Sequence, residues 1–328
     1  MLPDPSSVRL APALAVAALL LLLSTPTSAQ PSEASRQMPA EFVANRVYVT
    51  AVTADSDSLR LITDTGGGRM FVLTRPALER LGQSVTDTLS RDRRSLLITS
   101  SPSFRPDGRV PSPPSDRALL APPRRAQLIG YDDGRLGQSW FGGHIWTLDY
   151  GAETMTLHAS AADLSFPSEH TVPLAFKTDA EGTRTSNHPR VEATIADSTY
   201  SFLLDTGATT VLTDSAHAAL DGPKRRGSGF ISASVFEQWR SAHPDWRVVD
   251  DASPAFGGTP LIRVPEVSIA GHTVGPVWFE RRPDRVLQGL LAGSMDKPVA
   301  GALGGSLFQY FHLTIDYPNA RAHFERLD

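Results

Sequence analysis

The tripeptide Asp-Thr-Gly occurs twice, as Asp64-Thr65-Gly66 within "ITDTGGGRMFVLT" and as Asp205-Thr206-Gly207 within "LLDTGATTVLTD". Each copy follows an apolar run and precedes another. Asp supplies a carboxylate at a strand end, Thr a small hydroxyl able to bond inward to backbone, and Gly room for another segment to approach. One such carboxylate, exposed, does little at neutral pH. Two brought together in a poorly solvated site cannot both ionise readily, so one proton becomes shared and the pair titrates as a unit. The ionised member then draws a proton from a water held between them while the protonated member polarises a carbonyl. This chemistry needs no metal, no cofactor and no covalent intermediate. Asp64 and Asp205 are therefore the candidate catalytic pair.

A second match is longer than the first. "GRLGQSWFGGHIWTLDYGAETMTL" begins at Gly134 and "GALGGSLFQYFHLTIDYPNARAHF" at Gly301. Gly134, Gly137, Ser139, Thr147, Asp149 and Tyr150 recur as Gly301, Gly304, Ser306, Thr314, Asp316 and Tyr317, all at a shift of 167 without a gap. Each half thus runs from an apolar strand through Asp-Thr-Gly and a variable middle to Gly-x-Leu-Gly and a strand ending in Asp-Tyr. The chain is an internal duplication of two long units, not a solenoid of short repeats.

The elements that must carry these residues are mostly strands. Val47–Val52, a polar turn at 55–58 and Leu59–Ile62 read as a hairpin, and Val191–Ile195 followed by Tyr200–Leu204 repeats it. Leu261–Val267 and Val274–Phe279 form another hairpin. Short helices are expected after Thr74 and from Thr213 to Leu220, and Ser234 with Glu237 is positioned to box the start of a third. Pro102–Pro123 is rich in Ser, Pro and Arg and reads as a long surface loop, and Thr178–Pro189 as a polar connection.

Composition sets the wider frame. The chain has 328 residues, 41% of them hydrophobic, enough for two packed units, and carries a formal net charge of -4. Nothing in that balance points to nucleic acid or an anionic lipid surface. Arg9, the apolar run from Ala11 to Leu23 and Thr27-Ser28-Ala29 read as a secretory signal over residues 1–29, cut after Ala29, with an uncleaved anchor as the alternative. The mature protein is then exported, to the periplasm or beyond, with no integral membrane span. It has no cysteine, so stability rests on its core rather than on disulfides. A mature N-terminal segment covers 30–45, an N-terminal lobe 46–160 and a C-terminal lobe 161–328.

On these motifs the chain resembles the pepsin and retropepsin-like aspartic protease superfamily, and in particular secreted bacterial proteins of that kind. "FLLDTGAT" (Phe202–Thr209) is similar to the retropepsin motif, and "GALGGSLFQYFHLTIDY" to the superfamily's later hydrophobic-Gly element. The resemblance implies an all-β, bilobal pepsin-like fold of two pseudo-twofold-related lobes with a few short helices. It implies Asp64 and Asp205 as the catalytic pair of an aspartic endopeptidase acting on a peptide or protein as a monomer. Thr65 and Thr206 would form interlocking hydrogen bonds beneath the pair, and Gly66, Gly207 and Ala208 would complete the tight loops. Gly137 and Gly304 would sit where the later segment passes through each loop. Two departures stand out. Gly67 occupies a place usually held by Ser, Thr or Ala, and the first lobe lacks a Tyr-Gly-Thr-Gly flap signature. A catalytically inactive peptide-binding protein on the same scaffold is thus the rival reading.

Other motifs carry less. Gly66-Gly67-Gly68-Arg69 lacks the ending of a phosphate loop, and Ser139 in "GQSWFG" is out of register for a nucleophile elbow. The nine histidines show no metal-ligand spacing. Asp149 and Asp316 each close a strand before a turn, which makes them structural.

Overall fold

Apolar stretches bounded by polar turns pair in the same order twice. The computed structural model describes residues 35–91, 94–162 and 164–328; the segment read as an export signal lies outside them. In the first lobe Arg46–Val52 and the motif strand Ser58–Thr63 form an antiparallel hairpin. In the second, Arg190–Ile195 and the motif strand Ser198–Leu204 do the same. A return strand then lies parallel to each motif strand. Gly134–Leu136 pairs Gly134 with Leu61, and Gly301–Leu303 pairs Gly301 with Phe202.

On their other edges the return strands pair antiparallel with Phe71–Leu73 and with Gly229–Ser232. Arg117–Leu120 and Val277–Arg282 add in parallel to these. The hairpin Asp87–Arg91/Arg94–Ser100 then completes the eight-stranded sheet, and Val248–Ser253/Thr259–Val264 holds the matching place in the nine-stranded one. The two lobes are therefore one topology built twice, in the all-β, bilobal, pepsin-like architecture expected from the sequence.

A six-stranded sheet joins them. Its central pair is Ile145–Asp149 against Phe311–Asp316, antiparallel, with Thr147 facing Thr314. Thr314 is also the equivalent of Thr147 under the shift of 167. A residue that faces its own equivalent lies on the pseudo-twofold axis, and the two hydroxyls meet there at 2.7 Å. Beneath this sheet Trp146 stacks on Trp140 at 4.3 Å, and Phe141, Leu148, Phe308, Leu313 and Tyr317 fill a core shared by both lobes. Burial of each such aliphatic or Phe side chain contributes roughly 1.5–3 kcal/mol.

The helices follow their caps. Thr74 accepts the Ala77 N–H at the start of Arg75–Arg80, and Thr213 accepts the Ala216 N–H at the start of Asp214–Ala219. The third helix, Ala233–Ala242, departs from expectation: Ser232 is its cap, accepting the Val235 N–H. Ser232 ends a strand with extended backbone, the conformation a cap requires. Ser234 instead donates to Asp284, and Glu237 pairs with Arg281. The expected hairpin from Leu261 to Phe279 keeps a single register, Val264 opposite Val277 and Val267 opposite Val274, across a break at Pro265-Glu266.

The Pro-rich stretch is not a plain surface loop. Arg117–Leu120 fills the gap between Phe71–Leu73 and Arg94–Ser100. Phe104 and Val110 are buried, and the Trp140 indole donates to the Pro111 carbonyl at 2.8 Å. Prolines dominate its composition, but its few apolar residues decide its path.

Glycine is required where each return strand leaves its sheet. A Cβ on Gly137 would lie 2.1 Å from the Gly68 carbonyl oxygen, and one on Gly304 would lie 2.1 Å from that of Ser228. Gly304→Ala is expected to lower unfolding free energy by about 1–3 kcal/mol or more through this overpacking. Gly289→Ala, which points into open space, is expected to stay within about 1 kcal/mol of the parent. Urea denaturation of both variants checks the contrast.

Candidate active site

The two motif strands deliver their aspartates to one place by the same device. The Asp64 N–H donates to Leu136 O at 2.9 Å and the Asp205 N–H to Leu303 O at 2.8 Å, so each return strand holds the aspartate of its own lobe. Beneath them the loops interlock. The Thr65 N–H donates to the Thr206 hydroxyl at 3.1 Å and the Thr206 N–H to the Thr65 hydroxyl at 3.0 Å. The Thr65 hydroxyl also donates to Leu204 O at 2.7 Å. Both threonines are fully buried.

Crossed loops bring each glycine against the opposite carboxylate. A Cβ on Gly66 would lie 2.5 Å from Asp205 Cγ, and one on Gly207 would lie 2.3 Å from Asp64 Cγ. Any side chain there would occupy the space of the acid itself. Asp64 and Asp205 consequently lie side by side, hydrogen-bonded to each other, and each is 9% exposed. Ala208 is buried and works through its backbone, its N–H donating to Asp205 O and its carbonyl accepting the Ser228 N–H.

The two acids are not electrostatically equal. Asp205 is held well above the usual carboxyl range by burial, then by the negative charge of Asp64 and the hydrogen bond between them; the Gly207 N–H, 3.0 Å from Oδ1, and the charge of Arg135 oppose this. Asp64 has a different neighbour. Arg135, in the return strand Gly134–Leu136, places Nη1 3.1 Å from Asp64 Oδ2, with side-chain exposures of 8% and 13%. Burial pulls the guanidinium down, but the Tyr131 phenol and the Asp64 carboxylate outweigh it and leave Arg135 raised above its ordinary value. The cation therefore contacts one carboxyl group of the pair, and the other is the one that burial and its neighbour raise.

Two residues here escaped the sequence reading. Arg135 matches Ala302 of the other copy, and a charge within a short strand reads as a solvated face. His188 lies in the polar connection 178–189, yet it is buried. Its Nε2 sits 2.9 Å from Gly67 O and its Nδ1 2.9 Å from Ser294 Oγ, and burial pushes the imidazole down. Beside it the Gln138 side-chain oxygen accepts from Ser186 Oγ and from the Asn187 N–H. The connection therefore props the loop that carries Asp64. Its polarity hid that role.

Asp149 and Asp316 lie apart from the pair. Asp149 accepts the N–H groups of Gly151 and Ala152, and Asp316 accepts from Asn319 and Arg321. Among the described residues, no group of three or more His, Asp or Glu side chains is placed to hold a metal ion. No described helix is long and apolar enough to cross a membrane.

By sequence, the chain matches no protein-family model and no curated relative. Among solved structures it is similar to an aspartic proteinase from Irpex lacteus, with a TM-score of 0.48 and 11% identity over 90% of this chain and 98% of that one. It is also similar to edgp, with a TM-score of 0.44 and 11% identity over 89% and 94%. A third is conglutin gamma, a basic 7S globulin from lupine seeds, with a TM-score of 0.45 and 12% identity over 89% and 95%.

Two outcomes follow for the site. Thr65→Val strips partners from the Thr206 N–H and Leu204 O, whereas Thr206→Val strips one from the Thr65 N–H. At roughly 1–3 kcal/mol for each buried orphan, Thr65→Val should be the more destabilising in urea titrations. The second concerns pH. Asp205 binds its proton more tightly folded than unfolded, which stabilises the fold fully below the ordinary carboxyl range and is lost as pH rises through the raised value. Asp205→Asn has no such proton to lose. Its stability relative to the parent should therefore increase from about pH 4 to about pH 8; a constant or falling difference would contradict the raised acid.

Proposed function

We propose that this chain is an exported aspartic-type endopeptidase that hydrolyses peptide bonds with a water activated between Asp64 and Asp205. The observation that carries the reading is the crossed approach of Gly66 and Gly207 to the opposite carboxylates, which sets two buried acids edge to edge.

In the first step the water oxygen bonds to the scissile carbonyl carbon. The water gives one proton to the ionised carboxylate, and the carbonyl oxygen takes the proton of the other acid, forming a geminal diol. In the second step the C–N bond breaks. The nitrogen takes the proton just acquired by the first carboxylate, and one diol hydroxyl returns its proton to the second. A carboxylic acid and an amine leave, and the pair again holds one proton. Each transfer is general acid–base catalysis by a carboxyl group whose partner tunes it.

The substrate is an extended peptide or protein segment, bound through backbone hydrogen bonds and apolar side-chain pockets. The net charge of -4 fits such a partner and gives no reason to invoke nucleic acid. Both acids come from one chain, so the active species is a monomer. Export to the periplasm or the exterior rests on the Arg9 to Ala29 segment of the sequence. The rival reading, a peptide-binding cleft without turnover, rests on Gly67 and on the missing Tyr-Gly-Thr-Gly flap signature. The first of these grounds loses force because Arg135 gives Asp64 the polar partner that glycine at position 67 does not.

Asp205→Asn and Asp64→Asn should each reduce cleavage of an unstructured protein substrate by at least about 100-fold across acidic to neutral pH, with folding verified by denaturation. Turnover near the parent level in either variant would sink the mechanism.

A further inference from the structure

We propose that Arg135 is a positioning residue that fixes the negative charge of the pair on Asp64 and the proton on Asp205, so that Asp64 is the base toward water and Asp205 the acid toward the carbonyl. This assignment rests on the hydrolase reading above and refines it.

Geometry makes the case first. The guanidinium touches Asp64, in a site where both side chains are nearly excluded from solvent, and charge interactions there are far stronger than in water. Among the described residues no cation forms an ion pair with Asp205. Its Oδ1 takes a neutral backbone N–H from Gly207. The remaining charged and titratable groups preserve the difference. His188 faces Asp64 from the second lobe's connection, and burial lowers its tendency to take a proton. Arg282 faces Asp205, but it is paired with the buried Glu280 at 2.9 Å and covered by the Phe230 ring at 4.0 Å. Tyr150 faces Asp205 as a neutral phenol, raised by burial and then by that carboxylate.

Residue sizes at two positions are coupled. A Cβ on Gly67 would lie 2.7 Å from Asp64 Oδ2 and 3.0 Å from Arg135 Cζ. The small residue at 67 and the long cation at 135 therefore share one volume. In the second lobe the equivalent positions hold Ala208 and Ala302, and no cation enters. The departure at Gly67 is thus one half of an exchange, in which a guanidinium reaching from the return strand replaces support by a side chain on the loop.

Stability does not explain this arrangement. The Arg135 Nε is buried without a hydrogen-bond partner, and a buried ion pair is seldom more stabilising than apolar residues of similar volume. The Ala302 of the other lobe is the less demanding solution. What Arg135 adds is a direct ion pair with one carboxylate, while at Asp205 its charge is the last of the influences.

The test compares Arg135→Gln, Arg135→Lys, Arg135→Ala and the double variant Gly67→Ser/Arg135→Ala. The readouts are the pH dependence of kcat/KM and the titration of 13C-labelled Asp carboxyl groups. Loss of the cation should move the acidic limb, and the first proton release of the pair, upward by roughly 1–3 pH units. Arg135→Lys should move both by less than half as much, and the added serine should bring the Arg135→Ala profile part of the way back. If limb and titration stay in place while only amplitude or stability falls, the residue is merely structural and the proposal fails. If Arg135→Gln does not fold, Arg135→Lys and the double variant decide: an unshifted carboxyl titration in the double variant, which lacks the cation, overturns the proposal. If the parent cleaves nothing, the hydrolase reading fails on its own account, and the carboxyl titration still reports whether Arg135 sets the charge.

Discussion

Everything at the site depends on the reciprocal hydrogen bonds between Thr65 and Thr206. Each hydroxyl accepts the N–H of the other threonine, so neither loop can satisfy its buried backbone within its own lobe. Leaving such an N–H unpaired costs roughly 1–3 kcal/mol, and the penalty falls on both loops at once. The lobes must therefore meet in one register. In that register Gly66 and Gly207 lie against the opposite acids, and two carboxylates share a space that neither would choose in isolation.

The backbone around the site is nearly symmetric, and the chemistry is not. Motif strands, return strands and caps repeat, but the surroundings of the two acids differ. The asymmetry comes from side chains hung on equivalent positions: Arg135 against Ala302, Gly67 against Ala208. A second asymmetry is length. The Asp-Thr-Gly motifs are related by a shift of 141 and the return strands by 167, so the second lobe carries 26 more residues between them. Most of that extra chain lies between the motif and Gly229–Ser232, where Thr209–Val211, Asp214–Ala219 and Arg225–Gly227 stand, and it leaves the return strand's register undisturbed.

Much of this was legible in the sequence because duplication is legible. The constant shift from Gly134 to Tyr317 foretold paired return and bridging strands, and the two Asp-Thr-Gly motifs foretold where they lead. Thr74 and Thr213 cap as polar residues before apolar periodic runs should. What stayed hidden had one physical cause: burial that composition argues against. Arg135 is a charge within a core strand, His188 an imidazole inside a polar connection, and Phe104 and Val110 are anchors in a stretch dominated by proline. Each is buried by partners distant in the chain, and no local pattern reports a partner that tertiary structure supplies. Ser232, rather than Ser234, caps its helix for a related reason, since the strand before it sets where extended backbone ends.

The seam on which Thr147 meets Thr314 has a mechanical consequence. Backbone hydrogen bonds run through it from one lobe into the other without interruption, so no joint of loosely packed side chains stands between them. Room for a bulky guest must come from torsion spread over six strands rather than from a hinge. Such a floor lets the walls part while Asp64 and Asp205 keep a constant spacing.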